Sequence, residues 1–83
     1  MKESPMPTVV IAQTVDARGL SCPMPIVRTA QAVKALDPGT FLEILATDPG
    51  SVKDFAAWCR ATGHELIDES VDGAVYRFVV RHK

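Results

Sequence analysis

The chain has only two cysteines in 83 residues, which could form at most one bridge, far from the disulfide density of small secreted folds. It has no apolar run near the roughly 18 residues needed to span a bilayer. Its first ten residues, "MKESPMPTVV", place a glutamate and two prolines where a signal peptide needs an uninterrupted apolar stretch. A reducing cytoplasm is therefore the expected compartment, and there a free thiol is available for chemistry. The formal charge of −1 leaves no basic excess for phosphate binding, so nucleic acid is not the expected main partner. The one local exception is "YRFVVRHK", with Arg77, Arg81, His82 and Lys83 close together. There is no solenoid-type repeat and no low-complexity segment.

What is present is 47% hydrophobic sequence, enough for one domain near the lower size limit of a single core. Residues 1–7 carry Pro5 and Pro7 and read as a flexible lead-in to a single domain over 8–83. "TVVIAQTV" (8–15) is β-branched and predicts a strand. After the loop 16–22, a helix is expected from Pro23 to Ala35, with Ile26, Ala30 and Val33 at i, i+4, i+7 and Val27 widening the stripe. "LDPGT" stops it. "FLEILAT" (41–47) reads as a strand buried on one face and partly covered on the other. "DPGS" then leads into a second helix, with Asp48 or Ser51 as its cap and Val52, Phe55, Ala56 and Cys59 as its apolar stripe; Gly63 ends it. "HELIDESV" and "AVYRFVVR" flank Asp72-Gly73, a hairpin signal. The order β-α-β-α-β-β predicts an α/β (α+β) two-layer sandwich, two helices on one face of a four-stranded mixed sheet. Each β-α-β passage implies a parallel pair.

The unusual stretch is "GLSCPMPIV" (19–27), where Cys22 stands before two prolines that flank Met24. Gly19 is free to take a positive φ. Proline fixes its own φ and removes a backbone donor, so Pro23 and Pro25 shape the chain tightly beside the thiol. With Pro23 at the first helical position, Cys22 falls at the N-cap, where the helix field favours an anion. Thiolate is the reactive form, and helix N-termini lower cysteine pKa. Because both prolines lack N–H groups, only a moderate lowering is expected, with Met24 as the nearby donor and Arg18 or Lys53 adding to the field. The competing reading is a small buried hydrophobe at a turn.

"DARGLSCPMPIVRTAQAVKALDPG", "LATDPGSVKDFAAWCRATGHEL" and "DGAVYRFVVR" together resemble the TusA/SirA-like sulfur-carrier family, over nearly everything from Asp16 to Arg81. The signature is Cys-Pro-x-Pro, here Cys22-Pro23-Met24-Pro25. The resemblance implies that Cys22 accepts sulfane sulfur as a persulfide and passes it to a partner protein, in a relay serving tRNA thiolation, cofactor maturation or sulfur oxidation. It implies donors of the cysteine desulfurase or rhodanese type and acceptors of the DsrE-like type. Asp48, Pro49 and Lys53 match the family's second motif; where the family often has a further acidic residue before Asp48, this chain has Thr47. Docking is expected on Met24, Asp16, Asp48 and Lys53, around a monomer without cofactor or metal.

The remaining chemistry-bearing residues read as structural. Cys59 lies on the apolar stripe of the second helix, Trp58 one step off it at the boundary, and His64 opens a strand near the surface. Cys22, Cys59, His64 and His82 lack zinc-ligand spacing, and "CPMP" is not a C-x-x-C dithiol. Two alternatives stand beside a sulfur carrier: a regulatory or RNA-binding module using the basic C-terminal strand, and a stand-alone thiol redox enzyme.

Overall fold

In the computed structural model, which describes residues 9–83, the elements follow the expected order. They are β1 (Ile11–Ala17), α1 (Met24–Lys34), β2 (Phe41–Ala46), α2 (Ser51–Thr62), β3 (Glu65–Asp72) and β4 (Val75–Arg81). The lead-in expected at 1–7, and the start of the first strand at Thr8, lie outside the described residues.

The four strands form one sheet in the order β1-β2-β4-β3. β1 and β2 are parallel neighbours, as a β-α-β passage requires. The second passage differs from expectation: β2 and β3 run the same way but do not touch, because β4 inserts between them antiparallel to both. A tight hairpin makes this possible, since it returns β4 beside β3 and into the slot next to β2. The turn is Gly73-Ala74, one residue later than Asp72-Gly73, with Asp72 opposite Val75. Gly73 has φ 62° and no non-glycine residue among those described has a positive φ, which is the pattern of a type II′ turn, with glycine at its first central position.

Both helices cover one face. Val15 from β1, Leu42, Ile44 and Ala46 from β2, and Phe78 and Val80 from β4 meet Val33 of α1 and Phe55 and Cys59 of α2 in one cluster. Period-two alternation in β2 sends residues 42, 44 and 46 inward, while Phe41, Glu43 and Leu45 stay only partly covered on the other side. Phe55 is fully buried and stacks on Phe78, ring centroids 4.7 Å apart, with Trp58 edge-on at 6.2 Å. Burying a phenylalanine completely contributes about 1.5–3 kcal/mol, so this pair anchors α2 to the sheet.

The buried stripe of α1 is turned by one residue from the sequence expectation. Pro25, Thr29 and Val33 are its buried positions, Ile26 packs at their margin, and Val27 is 37% exposed. Thr29 can occupy the core because its hydroxyl donates to the carbonyl of Pro25 at 2.9 Å, leaving no buried donor unpaired. The expected side-chain cap of α2 is absent: Gly50 is the N-cap, and the Oγ of buried Ser51 has no partner among the described residues. Gly63 ends α2 as expected, at φ 88° with its amide on the carbonyl of Cys59.

Candidate functional site

Parallel pairing of β1 and β2 brings their C-terminal ends together, and the N-termini of α1 and α2 start from that same edge. The loop 18–23 and the loop 47–50 therefore lie side by side, an arrangement that α/β topologies commonly use for sites. Three polar contacts join or shape these loops. The amide of Gly19 donates to Thr47 Oγ1 at 2.9 Å, and the amide of Cys22 donates to Asp48 Oδ2 at 2.8 Å. The amide of Gly50 donates to the other oxygen of Asp48 at 3.2 Å. Gly19 has φ 81°, a conformation that glycine takes without the steric cost a side chain would add.

On this frame Cys22 is exposed, while Cys59 is 6% exposed beneath α2. The Cys22–Pro23 peptide bond is cis. Met24, 40% exposed, and Val27, 37% exposed, put apolar surface on the outer side of α1 next to the thiol. Cys22 lines none of the three most pronounced surface depressions among the described residues. One of these, about 550 Å³, runs between the free edge of β1 and α1, past Gln13, Asp16, Arg28 and Gln31.

The electrostatics of the sulfur reverse the expectation of a lowered pKa. Cys22 is not the N-cap: Pro23 takes that position, Met24 begins the helix, and no side chain caps it. The amide of Met24, the donor expected for the sulfur, goes instead to the carbonyl of Ser21 at 2.8 Å. Arg18 is held by Asp16, with Nε and Nη2 each 2.8 Å from a carboxylate oxygen. This pair holds the Asp16 carboxyl down to about 2 and raises the Arg18 guanidinium, and it takes that cation away from the thiol. Lys53 is exposed on α2 and is not among the charges that act on the sulfur.

What does act on the sulfur is acidic. Sγ donates to Asp54 Oδ2 at 2.7 Å. That hydrogen bond, then burial, then the negative charges of Asp54 and Asp48 push the Cys22 thiol above 9.0. Asp54 stands in "TDPGSVKD" yet was not singled out from sequence. The helical stripe shows which residues face the sheet, but not which flank of α2 faces the mouth of α1. The readable signal was an acidic residue in the first turn of a helix that starts at the same edge.

Among the described residues no cluster of three or more His, Cys, Asp or Glu could hold a metal ion, and no helix is long and apolar enough to cross a membrane. His64 and His82 lie together at the opposite end of the sheet, ring centroids 5.0 Å apart. The basic C-terminal strand is largely paired: Arg77 meets Glu43 and Asp68, and Arg81 approaches Glu65 at 3.9 Å.

Known proteins agree with this architecture. A solved SirA-like protein from Desulfitobacterium hafniense superimposes with a TM-score of 0.74 over 83% of this chain and 95% of its own, at 22% identity; it shares the fold. The sulfur carrier protein TusA of Allochromatium vinosum is 44% identical over 69 residues, 83% of this chain and 91% of that protein. A Neisseria meningitidis relative is 46% identical over 72 residues, 87% of this chain and 97% of its own. Residues 13–82 match the profile of the family described as Sulfurtransferase TusA, and the chain belongs to that family.

Proposed function

We propose that this protein is a sulfur carrier in which Cys22 accepts sulfane sulfur as a persulfide and hands it to a partner protein. The observation that carries this reading is one exposed thiol that lines none of the depressions described above, with the second cysteine buried. A carrier needs an accessible sulfur and a surface to meet donor and acceptor, rather than a cavity for a small substrate. In the transfer, the Cys22 sulfur attacks the outer sulfur of the donor persulfide. The donor's S–S bond breaks, its inner sulfur leaves with the electron pair as a thiol, and Cys22 keeps the transferred atom. No oxidant is consumed. Family membership and the name of the Allochromatium relative support the same reading.

Met24 and Val27 offer the apolar centre of a docking surface, and Lys53, Asp48 and the Asp16–Arg18 pair offer its polar rim. Pro23 and Pro25 keep the thiol's approach to that surface narrow. Donors of the cysteine desulfurase or rhodanese type and acceptors of the DsrE-like type are the partners that fit this relay, with the carrier acting as a monomer in the cytoplasm. The RNA-binding alternative loses its main support because Arg77 and Arg81 face carboxylates of their own chain.

The test is mass spectrometry after incubation with a sulfane-sulfur donor. The chain should gain about 32 Da, one sulfur atom, on Cys22, lose it on mixing with an acceptor protein, and gain nothing as Cys22→Ser. A gain that survives Cys22→Ser would end the proposal.

A further inference from the structure

The Cys22 sulfur has a partner that transfer by a free thiolate does not call for. Sγ reaches across 32 positions of sequence to Asp54 Oδ2 at 2.7 Å, in the first turn of α2. Among the described residues Asp54 forms no ion pair, so its carboxylate is left to the thiol. We propose that Asp54 is a positioning residue that latches Cys22 while the carrier is empty, by accepting the thiol's hydrogen, and lets it go once a sulfur is loaded. The release rests on the carrier reading above; the latch does not.

The chemistry of loading supplies the switch. Only a protonated Sγ has a hydrogen to give. When Sγ attacks the donor's outer sulfur, an Sγ–S bond of about 2.05 Å replaces the Sγ–H bond. The displaced proton ends on the donor's leaving sulfur, so atoms and electrons balance. The loaded Sγ can no longer donate to Asp54. An ionised outer sulfur would in addition be repelled by the carboxylates of Asp54, on α2, and Asp48, on the loop before it. On the β1–α1 side Arg18 is spent on Asp16, and the charges that act on Cys22 are those of Asp54 and Asp48. The empty thiol is thus held against α2 and kept protonated, which makes it a poorer target for adventitious oxidation although it is exposed, while the loaded sulfur is freed for a visiting acceptor.

The experiment compares the full chain with Asp54→Asn and Asp54→Ala, following iodoacetamide alkylation of Cys22 from neutral to alkaline pH with the site mapped by mass. The wild-type midpoint should lie above 9.0 and should fall in both variants. At neutral pH the variants should react faster, by about threefold for each unit of fall, since a tenfold gain in thiolate is partly offset by the lower nucleophilicity of a weaker base. An unchanged midpoint in folded Asp54→Asn overturns the latch. So does a wild-type midpoint at or below 9.0, whatever becomes of the variants. For release, the carboxyl carbon-13 signal of Asp54 in the sulfur-loaded chain should match that of Cys22→Ala; a match to the empty wild type overturns it. If the wild type takes up no sulfur at all, the carrier reading and the release fall together, and the alkylation profile still decides the latch.

Discussion

The amide of Cys22 donates to the carboxylate of Asp48 at 2.8 Å, joining residues 26 positions apart. With Thr47 accepting from Gly19 and Asp48 also accepting from Gly50, the sequence "TDPG" serves as a clamp on the cysteine loop. The second motif of the chain thereby shapes the first.

Removing that clamp should loosen the site before it unfolds the domain. Asp48→Ala deprives the amides of Cys22 and Gly50 of their acceptor, and because the loops are near solvent, water replaces much of the loss. The expected cost is on the order of 1 kcal/mol, read by urea denaturation, with faster amide exchange at Cys22. Asp48→Asn keeps a single acceptor oxygen for the two amides and turns a donor towards the other, so it should recover only part of it. Both variants should also lower the Cys22 midpoint, but less than Asp54→Asn, because Asp48 acts on the sulfur only through charge while Asp54 also accepts its hydrogen. An equal or larger fall for Asp48→Asn would refute this ranking.

The Asp16–Arg18 pair makes a pH prediction with a definite sign. Arg18 holds the folded Asp16 carboxyl at about 2 against an ordinary 3.8. A depressed acid stabilises the fold above its unfolded pKa, and the contribution fades as pH falls from 3.8 towards 2. The pair is solvent-exposed, so the effect on stability is small and screened by salt. Its clear readout is carboxyl titration by NMR: Arg18→Gln should raise Asp16 part of the way towards 3.8, since the amide of residue 18 still donates to its carboxylate. A midpoint that stays near 2 would mean that the guanidinium is not the cause.

Most of the fold was legible in the sequence because period and punctuation carried it. Gly63, Pro38 and the two apolar stripes placed α1, α2 and their ends within a residue or two. The insertion of β4 between β2 and β3 was not legible, since strand order depends on which edges pair, and local sequence does not encode that. At the site, Cys22 and its prolines could be read directly, while its exposure, against the competing buried reading, came from the structure. Its electrostatics could not, because the partner that decides them, Asp54, is brought in by the packing of α2 against the start of α1. Likewise Arg18 looked available in sequence and is occupied in space, by a residue only two positions away.

Core packing holds α2 on the sheet, so a core substitution should unmask the buried Cys59. Phe55 is completely buried between Phe78 and Trp58, and Phe55→Ala should cost about 3–5 kcal/mol, a large share of the stability of so small a domain. In the wild type, iodoacetamide should mark Cys22 and spare Cys59, which is buried and whose thiol burial pushes up. In Phe55→Ala, Cys59 should become reactive at denaturant concentrations that leave it protected in the wild type. Early labelling of Cys59 in the intact native chain would contradict the packing described for α2.

At the far end of the sheet, His64 should make stability fall in mild acid. Its ring lies over Trp58, centroids 5.0 Å apart, and its Nδ1 accepts from the amide of Lys83 at 3.1 Å. Burial, then the charges of His82 and Lys83, lower its pKa below 6.5. The unfolded chain therefore binds a proton at His64 more readily than the folded chain does, and stability rises with pH across that window. The contribution is complete above 6.5 and is lost as pH drops through the lower folded value, where protonated Nδ1 can no longer accept from Lys83. Urea midpoints measured from neutral pH into mild acid should decline in the wild type. They should flatten in His64→Gln, whose amide oxygen can accept but does not titrate. An identical slope in the two proteins would place the acid sensitivity on another group.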